Sequence, residues 1–211
     1  MYLPKPTEGD FQITPAGTFM AVCYRVLDLG TQAVDYKGET KMQHKIMLSW
    51  ELPDELMDDG RPFTVSKRYT WSMHAKSTLR KHLEGWRGAA FKETDFGEGG
   101  FNIKNVIGKG CLVTVTHTER EGKTYANVDS VSKLMKGMSA PDLVNPQVYL
   151  WLDKSVWSAD VFHTLGKGLQ EIILKSPEYQ ELHGVKDDEP PPPNGENDYG
   201  GRDPMDQDIP F

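Results

Sequence analysis

Residues 41–52 alternate between apolar and polar side chains: Met42, Ile46, Leu48, Trp50 and Leu52 share one face, while Lys41, Gln43, Lys45, Ser49 and Glu51 fall mainly on the other. A period of two marks a half-buried strand, because successive side chains leave the pleat in opposite directions. Related signals flank it. Residues 17–29 are rich in β-branched and aromatic side chains and predict a preceding strand; residues 61–73, with Phe63, Val65, Tyr69 and Trp71, predict a following one. Residues 111–118 and 124–131 read as two short strands joined by a hairpin turn at Glu119-Arg120-Glu121-Gly122-Lys123. The polar stretch 30–40, with Gly38, reads as a long loop, and residues 1–15, punctuated by Pro4, Pro6 and Pro15, as an extended lead-in.

In residues 75–87 the period changes. Leu79, Leu83 and Trp86 recur at i, i+4 and i+7 above a basic outer side, and Gly88 follows as a stop. The predicted order is three strands, a helix, then two strands. That is the order of a mainly β, five-stranded OB-fold barrel with its helix between strands 3 and 4; other small barrels share it. Residues 1–135 form this body, and residues 136–186 a linker, with Gly137, Pro141 and Pro146, followed by a helical appendage over 147–183. Leu165, Leu169, Ile172 and Ile173 make an apolar stripe expected to pack on the barrel rather than recruit a partner. Ser176-Pro177-Glu178 supplies a cap, a first-turn proline and an acidic start for a last short helix. From residue 187 onward Pro190–Pro193, Gly195, Gly200 and Gly201 mix with acids and few apolar residues. Such a segment buries too little surface to offset its ordering entropy, so it is expected to be a disordered tail.

Charge sharpens the division. The formal net charge is −7, and residues 187–211 carry all of it through eight acids and one base, Arg202. Within the balanced body, five acids between 51 and 59 precede eight bases between 61 and 92, where Glu84 is the one acid. A local excess of that size serves as a polyanion footprint, since counterion release depends on the patch rather than on the whole chain. The same bases would also suit a solvated helix face and ordinary strand lysines.

Cys23 and Cys111 both lie in apolar strand-like runs, without a second thiol or imidazole at metal-ligand spacing. Reduced, buried thiols and a cytoplasmic protein are expected. Residues 1–6 lack the apolar core of a secretory leader, and no run approaches membrane length. Signals for catalysis are weak. Glu121-Gly122-Lys123 and Pro53-Asp54 mimic separated halves of a metal-dependent nuclease pattern. Gly108-Lys109-Gly110 and Gly166-Lys167-Gly168 lack the upstream glycine and hydroxyl residue of a phosphate loop. A non-enzymatic protein without cofactor or metal is expected.

The most specific motif is Asp203-Pro204-Met205-Asp206-Gln207-Asp208-Ile209-Pro210-Phe211. Apolar residues in an acidic tail have no core to join, yet Ile209, Pro210 and Phe211 can fill a pocket while Asp206, Asp208 and a terminal carboxylate meet bases around it. This ending resembles that of bacterial single-stranded DNA-binding proteins, with Gln207 as the departure. The body is more similar to phage-encoded single-stranded DNA-binding proteins, in the run from Lys67 through Trp71 and Lys76 to Lys81, in Trp86-Arg87-Gly88, in residues 122–128 and in Ser176-Pro177-Glu178-Tyr179. The resemblance implies sequence-tolerant coating of single strands during phage replication, recombination or repair in the host cytoplasm. It also implies recruitment of replication and recombination proteins through the tip. Strand annealing and a nucleic-acid-free adaptor are the rival readings, and oligomeric state, homo-oligomers included, is left open.

Single-strand binding calls for a cationic groove and aromatic platforms, each stacked base being worth roughly 1–3 kcal/mol. An OB-fold places both on strands two and three and on the loops joining strands one–two and four–five. The candidates for phosphate are Lys45, Lys67, Arg68, Arg80, Lys81, Arg120 and Lys123. Those for stacking are Tyr24, Tyr36, Tyr69, Trp71 and Tyr125. Trp50, Phe63 and Trp86 are expected in the core. Lys67, Tyr69 and Trp71 share strand parity and Arg68 faces the opposite way in a regular strand, so these assignments do not all sit easily together.

Overall fold

The computed structural model describes residues 12–36, 38–96 and 100–184; the acidic tail and its tip lie outside the described residues. Strands β1 (Gly17–Tyr36) and β2 (Glu39–Leu56) form a long antiparallel hairpin, and β3 (Pro62–Thr70) pairs with β2. After helix α1 (Thr78–Arg87), strands β4 (Gly110–Arg120) and β5 (Lys123–Ser132) pair with each other, and β4 also joins β1. The resulting order is β3-β2-β1-β4-β5. The stretch 30–40, expected as a loop, is largely ladder, with pairs running from Thr31↔His44 to Tyr36↔Glu39. A ribbon wet on both faces has no buried side to impose alternation, which is why its polar residues do not read as strand.

Two irregularities bend β1, between Cys23 and Arg25 and between Asp28 and Gly30. The sheet curls until its edges β3 and β5 face each other, with Lys67 Nζ donating to the Val128 carbonyl at 2.9 Å. No ladder joins these edges among the described residues, so the sheet is curled but open. Its concave side holds Ile46, Leu48, Trp50, Leu52, Tyr69, Val113, Val115 and Val128. Helix α1 presses Leu79, Leu83 and Trp86 into that side. The Ser77 side chain caps the helix by accepting from the Arg80 amide, and Gly88 ends it in the left-handed conformation.

The opposite face is covered as well. Leu27, Leu29 and Met47 pack against Leu150, Phe162, Leu165 and Ile173 of the appendage. Each such side chain taken from water contributes about 1.5–3 kcal/mol. The apolar stripe therefore lies on the sheet. The appendage is not helical throughout: Val148–Leu150 is a strand, β6, parallel to Arg25–Leu27 of β1. It precedes helices α2 (Ala159–Thr164), α3 (Lys167–Leu174) and α4 (Pro177–His183). Val148, Leu150 and Leu152 turn to one core while Tyr149 and Trp151 turn to the other, a period of two that only a strand between two layers satisfies.

Polar anchors fix the appendage. The fully buried Glu51 carboxylate accepts from Val144 N at 2.5 Å, Asn145 N at 2.8 Å and Asn145 Nδ2 at 2.6 Å. Glu178 accepts from Thr31 N at 2.7 Å. At that contact Gly30 has φ +67°, and a Cβ there would meet Ser176 and Glu178, so only glycine lets α4 approach. Among the described residues no helix is long and apolar enough to cross a membrane.

Candidate nucleic-acid interface

The hairpin joining β4 and β5 presents the most open of the candidate residues. Its turn is Glu121-Gly122, with φ of 50° and 73°, the two positive angles of a type I′ hairpin. Arg120 and Lys123 close the ladder opposite each other, and Thr118 pairs with Tyr125. These four alternate positions share one face of the hairpin. Arg120, Lys123 and Tyr125 are exposed, Tyr125 at 39%. Asn127, on the same face, donates from Nδ2 to Thr118 Oγ1 at 2.9 Å and stiffens the ribbon beneath the ring. Two cations and a tyrosine are thus held side by side above a braced turn.

Arg68 lies on the outer face of β3, half-buried, as the neighbour of the inward Lys67. Lys81 is exposed on α1. The other candidates are placed differently. Lys45 is 5% exposed, with Nζ donating to Thr70 Oγ1 at 2.9 Å, and Lys67 is 6% exposed in the β3–β5 seam. Neither ammonium faces solvent, because the appendage covers the outer face of β2 and the curl of the sheet encloses the inner face of β3. Arg80 is held by Glu84 at 2.9 Å and by the carbonyls of Met73 and Phe91. Arg61 pairs with Asp59, and Arg87 with Asp95. The run of bases between 61 and 92 is therefore partly neutralised: Arg61, Arg80 and Arg87 are ion-paired and Lys67 is buried against a carbonyl, while Arg68, Lys76, Lys81 and Lys92 are in none of these contacts.

The aromatic candidates divide likewise. Tyr69 is buried, its hydroxyl 2.9 Å from His82 Nδ1. Tyr24 is 8% exposed at a bulge, with the Arg25 guanidinium 5.4 Å from its ring centre. Tyr36 ends β1 at the hairpin tip. Trp50 and Trp86 are core residues, and Phe63, partly buried, packs against the same core. Trp71 is half-buried and meets the edge of Trp151 at 5.2 Å. Trp151 and its neighbour Tyr149 fall in the stretch expected as helix; the alternation of residues 148–152 is the signal that locates them.

Burial controls the titratable groups around the seam. Desolvation, helped by the nearby Lys67 charge, lowers His82 to about 4, so it is neutral beside Tyr69. Burial pushes Cys23 up to about 12 and Cys111 well above its ordinary value, so neither is a thiolate at neutral pH. Among the described residues no three His, Cys, Asp or Glu side chains converge as metal ligands do. The surface chemistry is that of cations beside an exposed ring. No family model matches the chain, and no curated protein matches it significantly.

Proposed function

We propose that the protein binds single-stranded DNA without catalysis, coating it largely irrespective of sequence during replication, recombination or repair. The observation that carries this reading is the β4–β5 hairpin, where Arg120, Lys123 and Tyr125 project together from one face. Cations for phosphate beside a ring for a base are the minimum a flexible polyanion needs. The curled sheet adds support. Its strand order, its facing β3 and β5 edges and the helix between β3 and β4 fit an OB-fold barrel whose last seam is bridged by Lys67. Asp206, Asp208, Ile209, Pro210 and Phe211 then serve as the docking peptide for partner proteins.

Titration of labelled oligothymidine and of duplex DNA across salt concentration tests the proposal. Binding of the single strand that weakens linearly with log salt is expected, with the duplex bound less tightly. No binding in dilute buffer overturns it. Deleting Phe211 is expected to leave this affinity unchanged while abolishing capture of partner proteins.

A further inference from the structure

A second aromatic group lies away from the hairpin, on the concave side of the sheet. Trp71 follows the end of β3, and Tyr149 and Trp151 come from β6 and the residue beyond it. The planes of Tyr149 and Trp151 are 6° apart with centres 6.0 Å apart, and Trp71 sets its edge against Trp151 at 71°. His44 extends the row, 6.5 Å from Trp151 at 27°. Exposed Lys104 lies beside it, Nζ 5.1 Å from the Tyr149 ring centre.

We propose that Trp71, Tyr149 and Trp151 form a shelf on which successive bases of a single strand stack, with Lys104 receiving a phosphate. This rests on the single-strand-binding reading above and adds a second site to it. The three rings are each half-buried, whereas Trp50, Tyr69 and Trp86 of the core are closed off. Covering a core edge would be served equally by leucines; rings left partly open beside an ammonium group suit a base joined to a phosphate. The shelf is also rigid before any ligand arrives. β6 is laddered to β1, the Leu152 amide donates to Asp28 at 3.3 Å, and the Trp71 amide donates to the His44 carbonyl at 2.7 Å. Preorganised rings lose little freedom on binding. Three acids stand near: burial, joined by the charges of Asp28 and Asp153, raises Tyr149, and Glu178 lies 3.4 Å from His44. Each is hydrogen-bonded within the protein, Glu178 by the Thr31 amide. Asp28 is buried and accepts from His44, Gly30 and Leu152, and Asp153 accepts from Ser155. It follows that residues 148–151 belong to the DNA-binding body.

Oligothymidine titrations on the full chain test the shelf. Trp151→Leu and Tyr149→Leu keep apolar bulk and remove a ring face, so each is expected to weaken binding about tenfold or more, with the salt slope unchanged. Trp151→Phe is expected to recover most of the loss, and Lys104→Ala to lower the salt slope by about one contact. Wild-type affinity in folded Trp151→Leu and Tyr149→Leu overturns the shelf while leaving the hairpin reading intact. If Trp151→Leu does not fold, Tyr149→Leu and Lys104→Ala decide, and normal affinity and slope in both overturn it. If the wild-type chain itself ignores oligothymidine, both readings fall together.

Discussion

Lys67 Nζ stands 2.9 Å from the carbonyl oxygen of Val128, tying one edge of the curled sheet to the other. A lysine read from sequence as a phosphate contact thereby works as a strut. Its stem crosses the concave side and its charge ends on a backbone dipole, where losing one partner of a buried hydrogen bond costs about 1–3 kcal/mol.

Lys67→Met keeps the stem and deletes the bond. Urea unfolding is expected to show a loss of about 1–2 kcal/mol, with the salt slope of oligothymidine binding untouched. Lys123→Ala should do the reverse, leaving stability within about 0.5 kcal/mol and reducing the slope by roughly 0.7. A slope that falls in Lys67→Met would return that lysine to the interface.

Strand order and helix placement were legible because they rest on periodicity within single segments. Ile46, Leu48, Trp50 and Leu52 of β2 and the trio Leu79, Leu83 and Trp86 of α1 face the concave core, and the pattern records it. The polar side of β2, expected to be open, is buried as well at Lys45, Ser49 and Glu51. What escaped depends on partners distant in sequence. Lys45 looks solvent-facing until the appendage is laid over β2, and Arg80 looks like a phosphate contact until Glu84 and two carbonyls surround it. Parity did separate Arg68 from Lys67 and Tyr69, but it could not say which set was inside. Tyr149 and Trp151 were hidden because a strand of three residues carries too few alternations to stand out beside three helices.

His82 makes stability depend on acid. Its folded value of about 4 lies below the ordinary imidazole value, chiefly through desolvation. Between pH 6.5 and 4 the unfolded chain therefore binds the additional proton, and stability drains away as pH falls through that window. Above pH 6.5 the contribution is complete. The loss should approach about 3 kcal/mol at most, read as a falling urea midpoint. His82→Gln should flatten the dependence; an equally steep fall in that variant assigns it elsewhere.

His44 works in the opposite direction. Donating a hydrogen bond to Asp28 raises it, against desolvation, and the charges of Asp28 and Glu178 add to the rise. Glu178 is lowered although burial opposes this, because bonds from the Thr31 side chain and amide, together with His44, outweigh desolvation. The raised imidazole helps hold α4 to the hairpin below its unfolded value, and this help is lost as pH rises through the folded one. Amide exchange in α4, corrected for intrinsic rate, should therefore accelerate from pH 6 to 9. His44→Asn should exchange fast throughout. A wild-type α4 with constant protection over that range refutes the joint.

Trp50 and Trp86 lie 6.0 Å apart, centre to centre, yet their indole N–H groups differ. Trp86 Nε1 donates to the Gly110 carbonyl at 2.8 Å, pinning α1 to the start of β4. Trp50 Nε1 is buried with no partner among the described residues. Replacing either by phenylalanine removes a similar ring volume, so the cavity cost should nearly cancel in the comparison. What remains is the donor. Trp86→Phe loses a bond and leaves an acceptor behind, whereas Trp50→Phe removes a donor that folding has already stripped of water. Trp86→Phe is expected to destabilise by about 1–2 kcal/mol more than Trp50→Phe in urea. Equal losses would mean that the Trp50 donor finds a partner in solution.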